Sequence, residues 1–181
     1  MEKLIAMHCA PALAGIKPAN LVTIMKSEFK NFYQEIKRLN CDLNAKDIYI
    51  EILCECNERV LLMIYRKAVL QKHLENEKNR EFLEKYGYGG AEGLSDYFEI
   101  LKRKLEGDFP HEIGIFLGYP IEDIYSFINH PRDGCLLCGE WKVYHNRDEA
   151  EKIFRRFNAC RYALMKRVAA GKSLAQIFCA A

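Results

Sequence analysis

Apolar residues recur along this chain in two periods. Leu21, Met25, Phe29, Phe32, Ile36 and Leu39 follow one another at spacings of three and four, with Lys26, Lys30, Gln34 and Lys37 falling between them. That spacing predicts an amphipathic helix of about five turns, opened by Pro18 in its first turn, where a missing N–H has no partner to lose. Residues 1–16 are apolar without a clear period. Residues 48–55 alternate, and 60–65 are apolar throughout with Asn57-Glu58 between them, so this stretch predicts a β-hairpin.

A helical pattern returns over residues 67–86 through Leu70, Leu74 and Leu83, until Gly87, Gly89, Gly90 and Gly93 break it. Tyr97, Phe98, Leu101 and Leu105 mark another helix, ended by Gly107 and Pro110. Residues 111–117 read as a third strand, 121–128 as a short helix and 136–144 as a fourth strand. Asn146 is placed to cap a long last helix with the stripe Ile153, Phe157, Cys160, Leu164 and Val168, and Ser173 to cap a final turn. The expected fold is a single α+β domain over residues 1–181. A roughly four-stranded, mostly antiparallel sheet is covered by helices, with long N-terminal and C-terminal helices.

Composition narrows the class. Of 181 residues, 50% are apolar and 29% charged, with a net charge of +2, which excludes a disordered tail and a disulfide miniprotein. No apolar run approaches the ~18–20 residues of a membrane helix. Residues 4–16 are interrupted by His8 and Pro11 and make a poor secretory signal. Cys179-Ala180-Ala181 is one residue short of a prenylation box. A cytoplasmic location is therefore expected, where the eight cysteines stay reduced.

Three groups of residues could carry chemistry. His8, Cys9, Lys17 and Asn20 crowd the N-terminal segment, and Cys9 with His111 and a carboxylate would make a nucleophile triad. The alternative is a Cys9 that packs as a small apolar residue. His111 and Glu112 open an otherwise apolar run that contains Gly114, a residue that costs stability in a strand unless something approaches closely. Strand geometry sends His111 and Glu112 to opposite faces. Cys135-Leu136-Leu137-Cys138-Gly139 has the spacing of a metal knuckle for zinc or iron, with Cys54 and Cys56, or His111, His130 or His145, as further ligands. A thioredoxin-type reading fits less well, because the pair leads into a strand rather than a helix.

On the fourth strand, Trp141 and Val143 face the core, while Lys142 and Tyr144 share the other side and are candidates for an anionic or aromatic ligand. From Lys152 onward there are seven basic residues and no acid, against a net −5 over residues 1–151. Phe154 and Tyr162 are read as core, so a nucleic-acid role is not expected of this helix without a recognised motif.

Four segments resemble a bacterial family of unknown function, DUF3793: residues 8–21 (HCAPALAGIKPANL), 109–120 (FPHEIGIFLGYP), 139–144 (GEWKVY) and 154–160. They span nearly the whole chain. The resemblance implies a small soluble bacterial protein and carries over no activity, catalytic residue or cofactor. The residues then point first to a protein that binds a small ligand or metal through His8, Cys9, Lys17, Asn20, His111, Glu112, Lys142 and Tyr144. The alternatives are an enzyme with Cys9 as nucleophile, or an interaction module built on the basic C-terminal helix.

Overall fold

The computed structural model describes residues 1–179. Ala180 and Ala181, the end of the Cys179-Ala180-Ala181 tripeptide, lie outside the described residues. In chain order the elements are α1 (Glu2–Leu13), β1 (Ala19–Met25), α2 (Phe32–Leu43), β2 (Ile48–Cys56), β3 (Arg59–Arg66), α3 (Lys67–Leu74), α4 (Glu77–Leu83), α5 (Leu94–Leu105), α6 (Ile113–Phe116), α7 (Ile121–Asn129), β4 (Leu137–Cys138), β5 (Lys142–Val143), α8 (Arg147–Ala169) and α9 (Leu174–Phe178). The chain is an α+β protein and divides into two compact units. One is Met1–Leu70 with the chain from Cys160 onward, the other Gln71–Ala159. Among the described residues no helix is long and apolar enough to cross a membrane.

In the first unit an antiparallel sheet of order β1-β3-β2 lies against helices. The β2–β3 hairpin forms as its alternation predicts, closed by Asn57-Glu58 with Asn57 at φ +52. A bulge between Ile52 and Cys54 shifts the register, so Leu53 rather than Cys54 is buried. Ile5, Leu13, Ile24, Leu39, Ile64 and Leu174 meet in one core, each side chain contributing about 1.5–3 kcal/mol by burial. Helix α1 ends in a Schellman motif: Gly15 N–H donates to Ala12 O at 3.0 Å and Ile16 N–H to Pro11 O at 3.0 Å. The motif needs the left-handed φ of +74 that Gly15 adopts. Ser173 and Gln176 form a reciprocal capping box on α9, where Ser173 is expected to cap.

The sheet is three-stranded, not four-stranded, and three predicted elements differ. The five-turn helix from Pro18 is instead β1, a 3₁₀ turn at Lys26–Glu28, and α2. Val22-Thr23-Ile24 are branched at Cβ and favour the extended chain. They pair with Leu62, Leu61 and Val60 of β3. Of the predicted long N-terminal helix only α2, 12 residues long, is helical, while the aperiodic stretch before Pro18 forms the 12-residue helix α1.

The third strand over residues 111–117 is a tight helical turn. Ile113, Gly114 and Ile115 donate to Pro110, His111 and Glu112 through i→i−3 bonds of 3.0–3.2 Å. Every residue from 112 to 117 is buried, and a segment buried all round carries no period by which to tell helix from strand. The close approach expected at Gly114 is present, for a Cβ there would sit 2.9 Å from Ile124 Cγ1. The fourth strand folds back on itself at residues 139–141 and leaves only the two-residue strands β4 and β5.

The second unit has two apolar centres. Phe116 lies among the rings of Tyr88, Tyr97 and Phe98. Trp141, Val143, Ala150 and Phe157 make the other, with Tyr119, Leu137 and Phe154 packed against them. Helix α7 is held to this second centre through Asp123.

Candidate functional site

Helix α1 separates the N-terminal candidates. Neighbouring positions on an α-helix point about 100° apart, so His8 is exposed while Cys9 is 0% exposed. Burial pushes the Cys9 thiol up to about 12, against the opposing charges of Lys17 and Arg161. A thiol in that state is a packing group and offers no thiolate near neutral pH. Lys17 and Asn20 are buried as well. The Asn20 side-chain oxygen accepts the Ala12 N–H at 3.1 Å, one residue after Pro11 inside α1. Thiol alkylation at neutral pH under native conditions should therefore modify Cys41, Cys56, Cys135 and Cys138, which are exposed, and reach Cys9 only on unfolding. Rapid labelling of Cys9 in the folded protein, read by peptide mass mapping, would contradict this burial.

His111 and Glu112 do face apart, as helical neighbours rather than strand neighbours. Glu112 is buried, and Lys104 Nζ comes within 2.8 Å of its Oε1, off the hydrogen-bond direction. The Tyr88 hydroxyl lies beside it with no aligned partner among the described residues. Burial pushes the Tyr88 phenol up, and the Glu112 charge adds to that shift. Exposed His111 stands edge-on to the Phe127 ring, 4.9 Å between centroids. Lys142 Nζ sits 5.4 Å from the same centroid and donates to Pro131 O at 2.9 Å. Tyr144 Oη donates to Pro131 O at 3.4 Å. The structure thus gathers His111, Lys142 and Tyr144 around Phe127 and Pro131. Cys9 belongs to the other unit.

Among the described residues no three His, Cys, Asp or Glu side chains gather to hold a metal ion. Cys54 and Cys56 lie along β2, opposite Leu61 and Arg59 of β3. Burial raises the Cys54 thiol, and Cys56 adds to the shift. Cys135 and Cys138 lie in the second unit, exposed at the β4–β5 hairpin.

The best-organised polar group is Asp123, which the sequence does not single out. It stands in the first turn of α7 after Pro120 and is only 2% exposed. Its Oδ2 accepts from Trp141 Nε1 at 2.7 Å. Its Oδ1 accepts the backbone N–H groups of Tyr144 and His145, each at 2.9 Å, and lies 3.2 Å from His145 Nδ1. Four donors around one buried carboxylate satisfy its lone pairs and fix the imidazole. The Asp123 bond places the proton of a neutral His145 on Nδ1 and leaves Nε2 as an acceptor. The imidazole remains half exposed. It borders a cavity of ≈ 100 Å³ lined also by Asp123, Trp141, Glu122, Asn146 and Glu149. A Pro followed by two acids at a helix start reads as ordinary helix-dipole compensation, so nothing local marks Asp123 as buried.

A wider groove of ≈ 320 Å³ is lined by Gln71, Glu75, Arg80, Glu92, Gly93 and Tyr97 among others. Several of its polar groups are engaged with one another or with neighbours. Arg80 pairs with Glu84 at 3.5 Å, Gln71 donates to Glu75 at 2.8 Å, and the Glu92 N–H is held by Asp96 at 2.8 Å. On α8, Phe154 joins the Trp141 centre as expected. Tyr162 is 75% exposed and is not a core residue.

The molecule is thus an α+β protein whose second unit presents a small acidic, aromatic-walled pocket. The sequence profile of the family described as "Protein of unknown function (DUF3793)" matches residues 5–178, nearly the whole chain, and the chain belongs to that family. No curated protein and no solved structure matches it.

Proposed function

We propose that this protein binds a small ligand through a protonated amine, seated in the pocket between Trp141, His145 and Glu149. The observation that carries the reading is the buried Asp123 carboxylate, which fixes both the indole and the imidazole that border the cavity. Three carboxylates line the cavity, Glu122, Asp123 and Glu149, with no lysine or arginine among its lining residues, although Glu149 also accepts from Lys152 Nζ at 3.3 Å outside it. An indole adds attraction for a cation, and His145, when its Nε2 carries no proton, offers that nitrogen to an N–H donor. A volume of ≈ 100 Å³ takes a charged head group rather than a whole drug-sized molecule.

Trp141 is the only tryptophan, so its emission reports the pocket directly. Titration with methylammonium and ethylenediamine at constant ionic strength should give a saturable change, and acetate none. Glu149→Gln should weaken binding by roughly two- to fivefold, the scale of one exposed charge interaction. An equal response to acetate, or no saturation by about 10 mM amine, where binding is worth under about 3 kcal/mol, would sink the reading.

A further inference from the structure

We infer that Cys135 and Cys138 are one half of a tetrathiolate zinc site, completed by the same two cysteines of a second copy of this chain. The two thiols are three residues apart and both are exposed. The chain between and after them is a short hairpin. Leu137 and Cys138 pair with Val143 and Lys142, Leu136 N–H donates to Val143 O at 2.8 Å, and Gly139 N–H donates to Trp141 O at 3.1 Å. Leu137 is tied into the Trp141 centre, so the hairpin has a fixed base. Cys135 Sγ is turned back over the loop, 3.4 Å from Leu137 O.

A structural zinc ion takes four ligands in a tetrahedron, and four cysteines are a common set. Two are supplied here, and no third His, Cys, Asp or Glu joins them among the described residues. A two-fold axis through the metal supplies the missing pair with no new residue type, because an isologous contact presents the same patch from both sides. Leu136, between the two thiols, is 52% exposed. Such an apolar side chain is left in water by the single chain and would be covered when two hairpins meet. On binding, four S–H bonds are exchanged for four Zn–S bonds and four protons pass to solvent. This site does not depend on the ammonium pocket.

The test uses the full chain, reduced with a phosphine and freed of metal, then titrated with Zn²⁺ or Co²⁺. Half an equivalent of zinc per chain should saturate the protein. Light scattering should show a dimer that returns to monomer with EDTA. Co²⁺ should give the thiolate charge-transfer absorption of a four-sulfur tetrahedral site, ending at the same half equivalent. Cys135→Ser and Cys138→Ser, at exposed positions, should each abolish zinc uptake and the dimer while leaving Trp141 emission unchanged. The double change of Cys54 and Cys56 to Ser should keep both. One zinc per monomeric chain, uptake that survives in the Cys135 and Cys138 variants, or a chain that takes up no zinc and stays monomeric would each overturn the inference.

Discussion

Replacing Asp123 with Ala should cost the protein about 3–5 kcal/mol, the range for removing one partner from a buried charged network. The size follows from what the carboxylate holds. Trp141 Nε1 and the backbone N–H groups of Tyr144 and His145 all end on it, and each orphaned buried donor costs about 1–3 kcal/mol where water does not reach it. Asp123→Asn keeps one carbonyl oxygen, so it retains part of the set. It also turns an NH₂ group toward donors, and should lose about half as much. Urea unfolding followed by Trp141 emission, with backbone circular dichroism in parallel, reads both variants. The Trp141 signal belongs to the unit that contains the site. A loss below about 1 kcal/mol for Asp123→Ala would mean that water replaces the carboxylate, and the pocket wall would then be far less rigid than four protein hydrogen bonds imply.

The order in which sequence revealed this fold follows from how local each signal is. The β2–β3 hairpin is legible because alternation and a two-residue turn both act within 20 residues. β1 is not, since Leu21 and Met25 happen to continue the three-and-four spacing of α2. Only its pairing with β3, some 40 residues on, decides the matter. Residues 112–117 hide their helix because every side is covered. Of the site, the Cys135–Cys138 spacing is visible in the sequence, and so is the inward side of the strand at Trp141 and Val143. Asp123 is not visible. Its partners come from residues 141–145, and burial of a carboxylate depends on those donors arriving in space. His8 and Cys9 show the reverse failure, for neighbours in sequence are divided by the turn of α1 into one solvent-facing and one core residue.

Phe116→Ala should cost a similar 3–5 kcal/mol, by a different mechanism. Phe116 is 0% exposed. Its ring lies 5.8 Å from Tyr88, 6.2 Å from Tyr97 in an edge-on contact, and 6.5 Å from Phe98. Truncation removes the transfer free energy of the ring and leaves a cavity that the neighbours fill poorly. The backbone beside it is pinned, since His73 Nε2 donates to Ile115 O at 2.9 Å. Burial holds the His73 pKa below its usual value, against the opposing pull of the bond to Ile115. Tyr88 is itself fixed between Tyr97 and Lys104, whose ammonium lies 5.4 Å from its ring centroid. Phe116→Leu fills most of the space and should lose about 1 kcal/mol, as size-matched apolar changes do. Urea unfolding measures both, and small apolar ligands separate the two terms. An open apolar cavity stays dry and takes benzene, so saturating benzene should raise the midpoint of Phe116→Ala and leave the parent protein unchanged. If benzene has no effect and the loss is near 1 kcal/mol, the three rings have closed over the gap, and the pinning assigned to His73 and Lys104 is wrong.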